Sequence, residues 1–229
     1  MPVSAPLRAL SALVGLPLLL FALITWQVLA DGPLVGVDER LSGALVHPDR
    51  LSELLSDLGN VQVAVPVLVV ALAYVAWHGR ATGVDLWWLP PLAGALAMVL
   101  VPALVAPLKE WTDRPGTPAV PPATGYYPSG HTATAVVAYG TAALLLLGRL
   151  RSPAVRRALV VLCAVLVLGT SYGLVRRGYH WPLDVVASWC LGVALLAGVR
   201  QVDRRTPRDV SRSTRRSSSG TPSSSNGPS

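Results

Sequence analysis

The sequence predicts an all-α integral membrane protein with six transmembrane helices, and three observations predict it. First, 52% of the 229 residues are hydrophobic and only 14% are charged, against about a quarter charged in soluble domains. Second, the mean hydropathy is +0.51, and several apolar runs approach the ~20 residues that a bilayer crossing requires. Third, short polar segments rich in Pro, Gly and Arg punctuate those runs, as loops between spans do.

Taken in order, residues 9–30 form the first apolar run, preceded by Arg8. Val28-Leu29-Ala30 has the look of a signal-peptidase site, but the run exceeds a usual signal core, so an uncleaved first span is expected. Residues 31–60 form a polar loop with six carboxylates, among them Asp38, Asp49 and Asp57, against Arg40 and Arg50. The spacing of Leu41, Leu45, Leu51, Leu54, Leu55 and Leu58 predicts short amphipathic helices lying on the membrane surface. His47 reads as a surface histidine.

Residues 61–79 are the second predicted span and 86–108 the third, with Trp87 and Trp88 as interfacial anchors. Pro90, Pro91, Pro102 and Pro107 are expected to kink it. A loop over 109–130, a fourth span over 131–148 and an arginine-bearing loop over 149–157 follow. The fifth span covers 158–175 and the sixth 183–199. The reading is one membrane domain over 1–200, with its core at 60–200, and a disordered Ser/Arg-rich tail over 201–229.

A net charge of +7 invites a nucleic-acid reading, but the distribution of that charge excludes it. With the N-terminus inside, the inner segments hold Arg8, Arg80, four arginines of 149–157 and seven from Arg200 onward. The outer ones hold Arg40, Arg50, Lys109, Arg114, Arg176 and Arg177, so thirteen basic residues face six. That is an orientation signal, predicting a multi-pass cell-membrane protein with both termini cytoplasmic. Cys163 and Cys190 both fall inside apolar runs and imply neither a disulfide nor a metal site.

The outer loops carry the chemistry. Tyr126-Tyr127-Pro128-Ser129-Gly130-His131 closes a Pro/Gly-rich loop and opens an apolar run. Ser129 is a good helix N-cap, and a helix start offers unpaired N–H groups and the positive end of a dipole. Gly130 lets an anion come close, and His131 at the mouth is placed to donate a proton. Parity of the spans brings this stretch to the same face as Lys109-Glu110-Trp111-Thr112-Asp113-Arg114-Pro115 and Arg176-Arg177-Gly178-Tyr179-His180-Trp181-Pro182-Leu183-Asp184. Pro182 suits the first turn of a helix, which puts Asp184 one turn beyond His180, able to fix its tautomer. Lys and Arg neutralise phosphate oxygens, one histidine attacks phosphorus and another protonates the leaving oxygen. Singly, each cation reads as an interfacial residue; the combination reads as a phosphoryl-transfer site at the outer membrane surface.

Pro128-Ser129-Gly130-His131 and His180…Asp184, in that order after Lys109, resemble the type-2 phosphatidic acid phosphatase family. These are membrane lipid phosphatases that share a site architecture with the vanadium haloperoxidases. The resemblance covers roughly residues 60 to 200. It implies His180 as nucleophile, His131 as acid, Asp184 as orienting carboxylate, and Lys109, Ser129 and Gly130 as phosphate ligands, with no metal or cofactor. It implies a lipid phosphate substrate such as phosphatidic acid, phosphatidylglycerol phosphate or polyprenyl diphosphate. A lipid phosphotransferase and a non-catalytic phospholipid binder are the rival readings. Two positions depart from the pattern: Gly116 and Leu174 stand where the family has arginines. Arg114 is therefore expected to serve as a phosphate ligand two residues early, and Arg177 or Arg176 to replace the cation absent at 174.

Overall fold

A computed structural model gives the fold and describes residues 5–206, with side chains described from Val14 onward. Eight helices follow one another: α1 Ala5–Leu29, α2 Pro33–Leu45, α3 Arg50–Asp57, α4 Val61–Ala81, α5 Leu89–Thr112, α6 Gly130–Leu147, α7 Pro153–Arg176 and α8 Pro182–Arg205. Five of them, α4 to α8, are long and apolar enough to cross a membrane. A sixth crossing is reached if Val14–Leu29 and Pro33–Leu45, bent by 88° at their junction, form one broken span.

The expected elements are present, with ends set by local chemistry. Ser152 accepts the Val155 amide and Pro153 stands in the first turn, so α7 begins five residues before the predicted span. Pro102 and Pro107 sit inside α5, yet it runs unbroken to Thr112. Pro90 and Pro91 occupy its first turn, where no backbone donor is needed. Residues 201–205, predicted as the start of a tail, are helical, because α8 continues to Arg205. The rest of that tail, 207–229, lies outside the described residues. The loop over 31–60 does contain short helices, α2 and α3. Asp49 caps α3, taking the Ser52 amide at 2.7 Å and returning its own amide to Ser52 Oγ.

α6 is the axis of the bundle: 67% of its apolar stretch is buried, against 22% for α4. It packs against α4, α5, α7 and α8, while α1 covers α8 and α3 lies on α7. Small residues allow these approaches. A Cβ at Gly192 of α8 would stand 2.4 Å from Val136 of α6, and one at Gly173 of α7 would stand 2.6 Å from the Ser52 carbonyl of α3. The core runs along α5, α6 and α8 through Val101, Val105, Ala133, Val137, Leu145 and Leu191. By this connectivity the ends of α5 and α7 and the starts of α6 and α8 meet at one end of the bundle, beside α2 and α3.

Candidate active site

The α7–α8 turn delivers His180. Gly178 adopts φ +74°, a left-handed conformation that favours glycine, and Thr117 Oγ1 donates to its carbonyl. The Tyr179 amide donates to the Leu174 carbonyl at 2.9 Å, closing the end of α7. The chain then enters α8, and Asp184 Oδ2 takes the Trp181 amide at 3.1 Å and His180 Nδ1 at 3.2 Å. A carboxylate can only accept, so Nδ1 carries the proton and Nε2 keeps its lone pair.

Asp184 has no exposed surface, and a buried charge must be paired and hydrogen-bonded. Arg114 supplies this: Nη1 lies 2.5 Å from Asp184 Oδ1, and Nη2 lies 2.6 Å from Asp38 Oδ2. Asp38, from α2, uses its other oxygen to accept the Leu183 amide at 2.8 Å, in the first turn of α8. Arg114 also lies over the Trp181 ring at 5.4 Å, and Trp181 Nε1 donates to the Pro115 carbonyl at 3.0 Å. Four side chains, Asp38, Arg114, Asp184 and His180, thus form one buried relay drawn from α2, the α5–α6 loop and α8.

The start of α6 is tied to the same frame. The Ser129 amide donates to the Asp184 carbonyl at 3.2 Å, and Ser188 Oγ donates to both the Ser129 and Asp184 carbonyls at 2.8 Å. Ser129 caps α6 as expected, its hydroxyl accepting the Thr132 amide at 3.3 Å. That leaves the first-turn amides of Gly130 and His131 without an intrahelical acceptor. Lys109 reaches across to the Gly125 carbonyl at 2.9 Å. His131 is exposed, and its Nε2 meets Asn60 Oδ1, at the start of α4, at 2.8 Å. Lys109 and His180 are both neighbours of His131. Tyr126 sets its ring edge against His180 at 5.9 Å. Tyr127 is fully enclosed, with its hydroxyl 2.7 Å from Thr25 Oγ1. Burial pushes that phenol well above its ordinary range, so it stays neutral.

Lys109, Gly130 and His131 also stand at the head of a cavity of 560 Å³. Its remaining walls are apolar apart from Thr134 of α6: Val61 and Val65 from α4, and Met98, Val99, Pro102, Val105 and Ala106 from α5 among others.

The structure therefore brings together His180, Asp184, His131, Lys109, Ser129 and Gly130. Arg114 joins them in a different capacity from the expected one. Each of its Nη atoms meets a carboxylate, Asp184 on one side and Asp38 on the other, rather than opening as a fork toward a phosphate. Arg176 is drawn away, its Nε 2.7 Å from Asp49 Oδ2 and its guanidinium 5.7 Å over Tyr172. The Ser52 amide and then Arg176 hold the Asp49 carboxyl down at about 2. Arg177 lies over Tyr179 and donates to its hydroxyl at 3.1 Å, but its Nε is buried without an acceptor among the described residues. Leu174 is buried and contributes only its carbonyl.

Two residues escaped the sequence reading. Asp38 was one acid among six in a loop read as surface; its only signal is Ser42 one turn later, both buried on one face of α2. Asn60 sits at the N-cap of α4 but gives no cap bond, its side chain going to Asp57 and His131 instead.

Comparison with known proteins places the chain in a family. The family profile described as PAP2 superfamily matches residues 90–208. A Sulfolobus acidocaldarius protein described as undecaprenyl-diphosphatase is 33% identical over 184 residues, covering 78% of this chain and 74% of that protein. The crystal structure of a transmembrane PAP2-type phosphatidylglycerolphosphate phosphatase from Bacillus subtilis superposes with a TM-score of 0.68 at 25% identity. It covers 84% of this chain and 98% of its own.

Proposed function

This chain belongs to the PAP2 superfamily, and from that premise we propose that it hydrolyses a lipid phosphate or diphosphate through a phosphohistidine on His180. It is a membrane phosphatase, a hydrolase of phosphate esters of the metal-independent PAP2 kind. The observation that carries the lipid assignment is the 560 Å³ cavity, apolar along α4 and α5 and headed by Lys109, Gly130 and His131. An acyl or prenyl chain fits the walls, and its phosphate meets a cation, two free amides and an imidazole. Both relatives act on lipid-borne phosphate by their names, which supports the same class here.

The roles follow from the geometry. His180 Nε2 attacks phosphorus, with Asp184 holding Nδ1–H and stabilising the cation that forms. The bond from phosphorus to the lipid oxygen breaks as His131 passes that oxygen a proton. A water, deprotonated by the now neutral His131, then attacks phosphorus and breaks the phosphorus–nitrogen bond. Inorganic phosphate leaves, and both histidines return to their starting states. Lys109 and the Gly130 and His131 amides hold the equatorial oxygens, with Ser129 fixing the turn that presents them. Arg177, with its unpaired Nε, is the second cation in preference to Arg176, which Asp49 already holds. Arg114 and Asp38 position Asp184.

Six crossings with the site on the extracytoplasmic face complete the reading, supported by thirteen basic residues on the opposite side against six. An alkaline phosphatase fusion at Thr124 is then active and one at Ser152 inactive; the reverse pattern removes the outer-face placement. The function itself is tested by phosphate release from purified protein given phosphatidic acid, phosphatidylglycerol phosphate or a polyprenyl diphosphate. At least one is hydrolysed, resistant to EDTA and sensitive to vanadate, and His180→Ala abolishes release. Activity lost in EDTA and restored by magnesium rejects the mechanism.

A further inference from the structure

The end of the bundle remote from His180 carries a second feature. α7 and α8 both lean on α6 but barely meet each other. Trp189 Nε1 joins them near the site end, donating to Ser171 Oγ at 3.0 Å. Beyond that link they diverge around a cleft of 1210 Å³, larger than the ~300–1,000 Å³ usual for small-molecule pockets. Its walls are apolar, with Gly140 and Leu144 from α6, Val160 and Ala164 from α7, and Val193 from α8. Its rim is cationic: Arg156 from the first turns of α7, and Arg200 and Arg204 from the last turns of α8, all exposed. Arg156 is fixed there by donating to the Leu147 carbonyl at 2.6 Å. Among the described residues the one carboxylate lining the cleft is Asp203, with Arg149 at 3.9 Å.

We propose that this cleft binds a diacyl anionic phospholipid of the leaflet opposite the candidate active site. Its acyl chains lie between α6, α7 and α8, and its phosphate sits among Arg156, Arg200 and Arg204. The dimensions agree. From Trp189 to Arg204, α8 rises about 22 Å, which spans one leaflet of a hydrocarbon core ~30 Å thick and reaches the headgroup level. Charge selects the lipid, because basic pockets between membrane helices hold anionic headgroups. A second copy of this chain is disfavoured as occupant. At this end the described acids are Asp85 and Asp203, facing Arg80, Arg149, Arg151, Arg156, Arg157, Arg200, Arg204 and Arg205. Self-association there opposes like charges. The substrate is not the occupant either, since the reacting histidines lie at the other ends of α6 and α8.

The test uses full-length protein delipidated in mild detergent, then offered dioleoyl phosphatidylglycerol or dioleoyl phosphatidylcholine and weighed by native mass spectrometry. One phosphatidylglycerol is retained in preference to phosphatidylcholine, less strongly as salt rises. Each arginine contributes roughly fivefold to that preference, so Arg156→Ala, Arg200→Ala and Arg204→Ala together erase it. Ala164→Phe, at an exposed position in the cleft wall, removes retention without changing charge and serves if the triple variant folds poorly. Equal retention of the two lipids overturns the proposal, as does an undiminished preference in both variants. A thermal shift with inorganic phosphate equal to that with phosphatidylglycerol also overturns it, as does a dimer mass lost on Ala164→Phe.

Discussion

The two histidines of the site are held in opposite ways. His180 is 5% exposed and is the last member of a relay in which every carboxylate oxygen of Asp184 and Asp38 has a donor. His131 is exposed, and among the described residues its ring has a single hydrogen-bond partner, the Asn60 amide oxygen. The contrast matches the work proposed for each. A nucleophile benefits from a fixed tautomer and a fixed ring, because misplacement by an ångström is costly. An acid that becomes a base within one turnover must exchange protons and meet water, so it belongs at the surface of the site.

The sharpest way to break this contrast is Asp184→Asn. It keeps the shape but offers an amide where Nδ1–H expects a carboxylate, which costs roughly 10³–10⁴ in kcat by the tautomer argument. Phosphate release at saturating lipid measures it, and a loss below tenfold removes Asp184 from the relay. The next effect in size concerns the cations. Arg177→Ala costs about 10²–10³ in rate if its unpaired Nε serves the phosphate, while Arg176→Ala stays within a few-fold, because Asp49 already occupies it. Near-equal turnover of the two variants and the parent makes both arginines ordinary interfacial residues.

Asp38→Asn tests the far end of the relay. Arg114 keeps Asp184 but loses its second anion, so kcat falls roughly tenfold, about 1.4 kcal/mol, with KM unchanged because Asp38 does not touch lipid. The melting temperature in detergent falls as well, since removing one partner strands part of a buried charge. A change confined to melting makes Asp38 merely structural. Asn60→Ala is expected to have the smallest effect, a few-fold at most, as one neutral hydrogen bond contributes about 1 kcal/mol. Its signature is the alkaline limb of the pH–rate profile, where the proton on His131 is lost; that limb shifts for Asn60→Ala and stays in place for Asp38→Asn.

What could be read from the chain depended on how far apart the cooperating residues lie. His180 and Asp184 are one turn apart, and Ser129 caps a helix three residues away, so spacing alone placed them. The apolar runs likewise gave the helices, since a membrane span must satisfy its backbone within itself. Arg114 shows where local reading fails. As the lone arginine of its loop it looked like a phosphate ligand, yet its partners come from 70 and 76 residues away.

Composition, charge placement and short motifs by themselves determined a helical membrane protein and pointed to His131, His180 and Asp184 as its candidate phosphate site. Only the tertiary structure decided that Asp38 turns inward to meet Arg114, that Asn60 meets His131, and that α7 and α8 part to leave a cationic cleft. The physical reason is that hydrophobic periodicity and capping are local properties, written within a few residues. Which charge meets which in the interior depends on how helices pack, and the cost of burying an unpaired charge is settled only once they have packed.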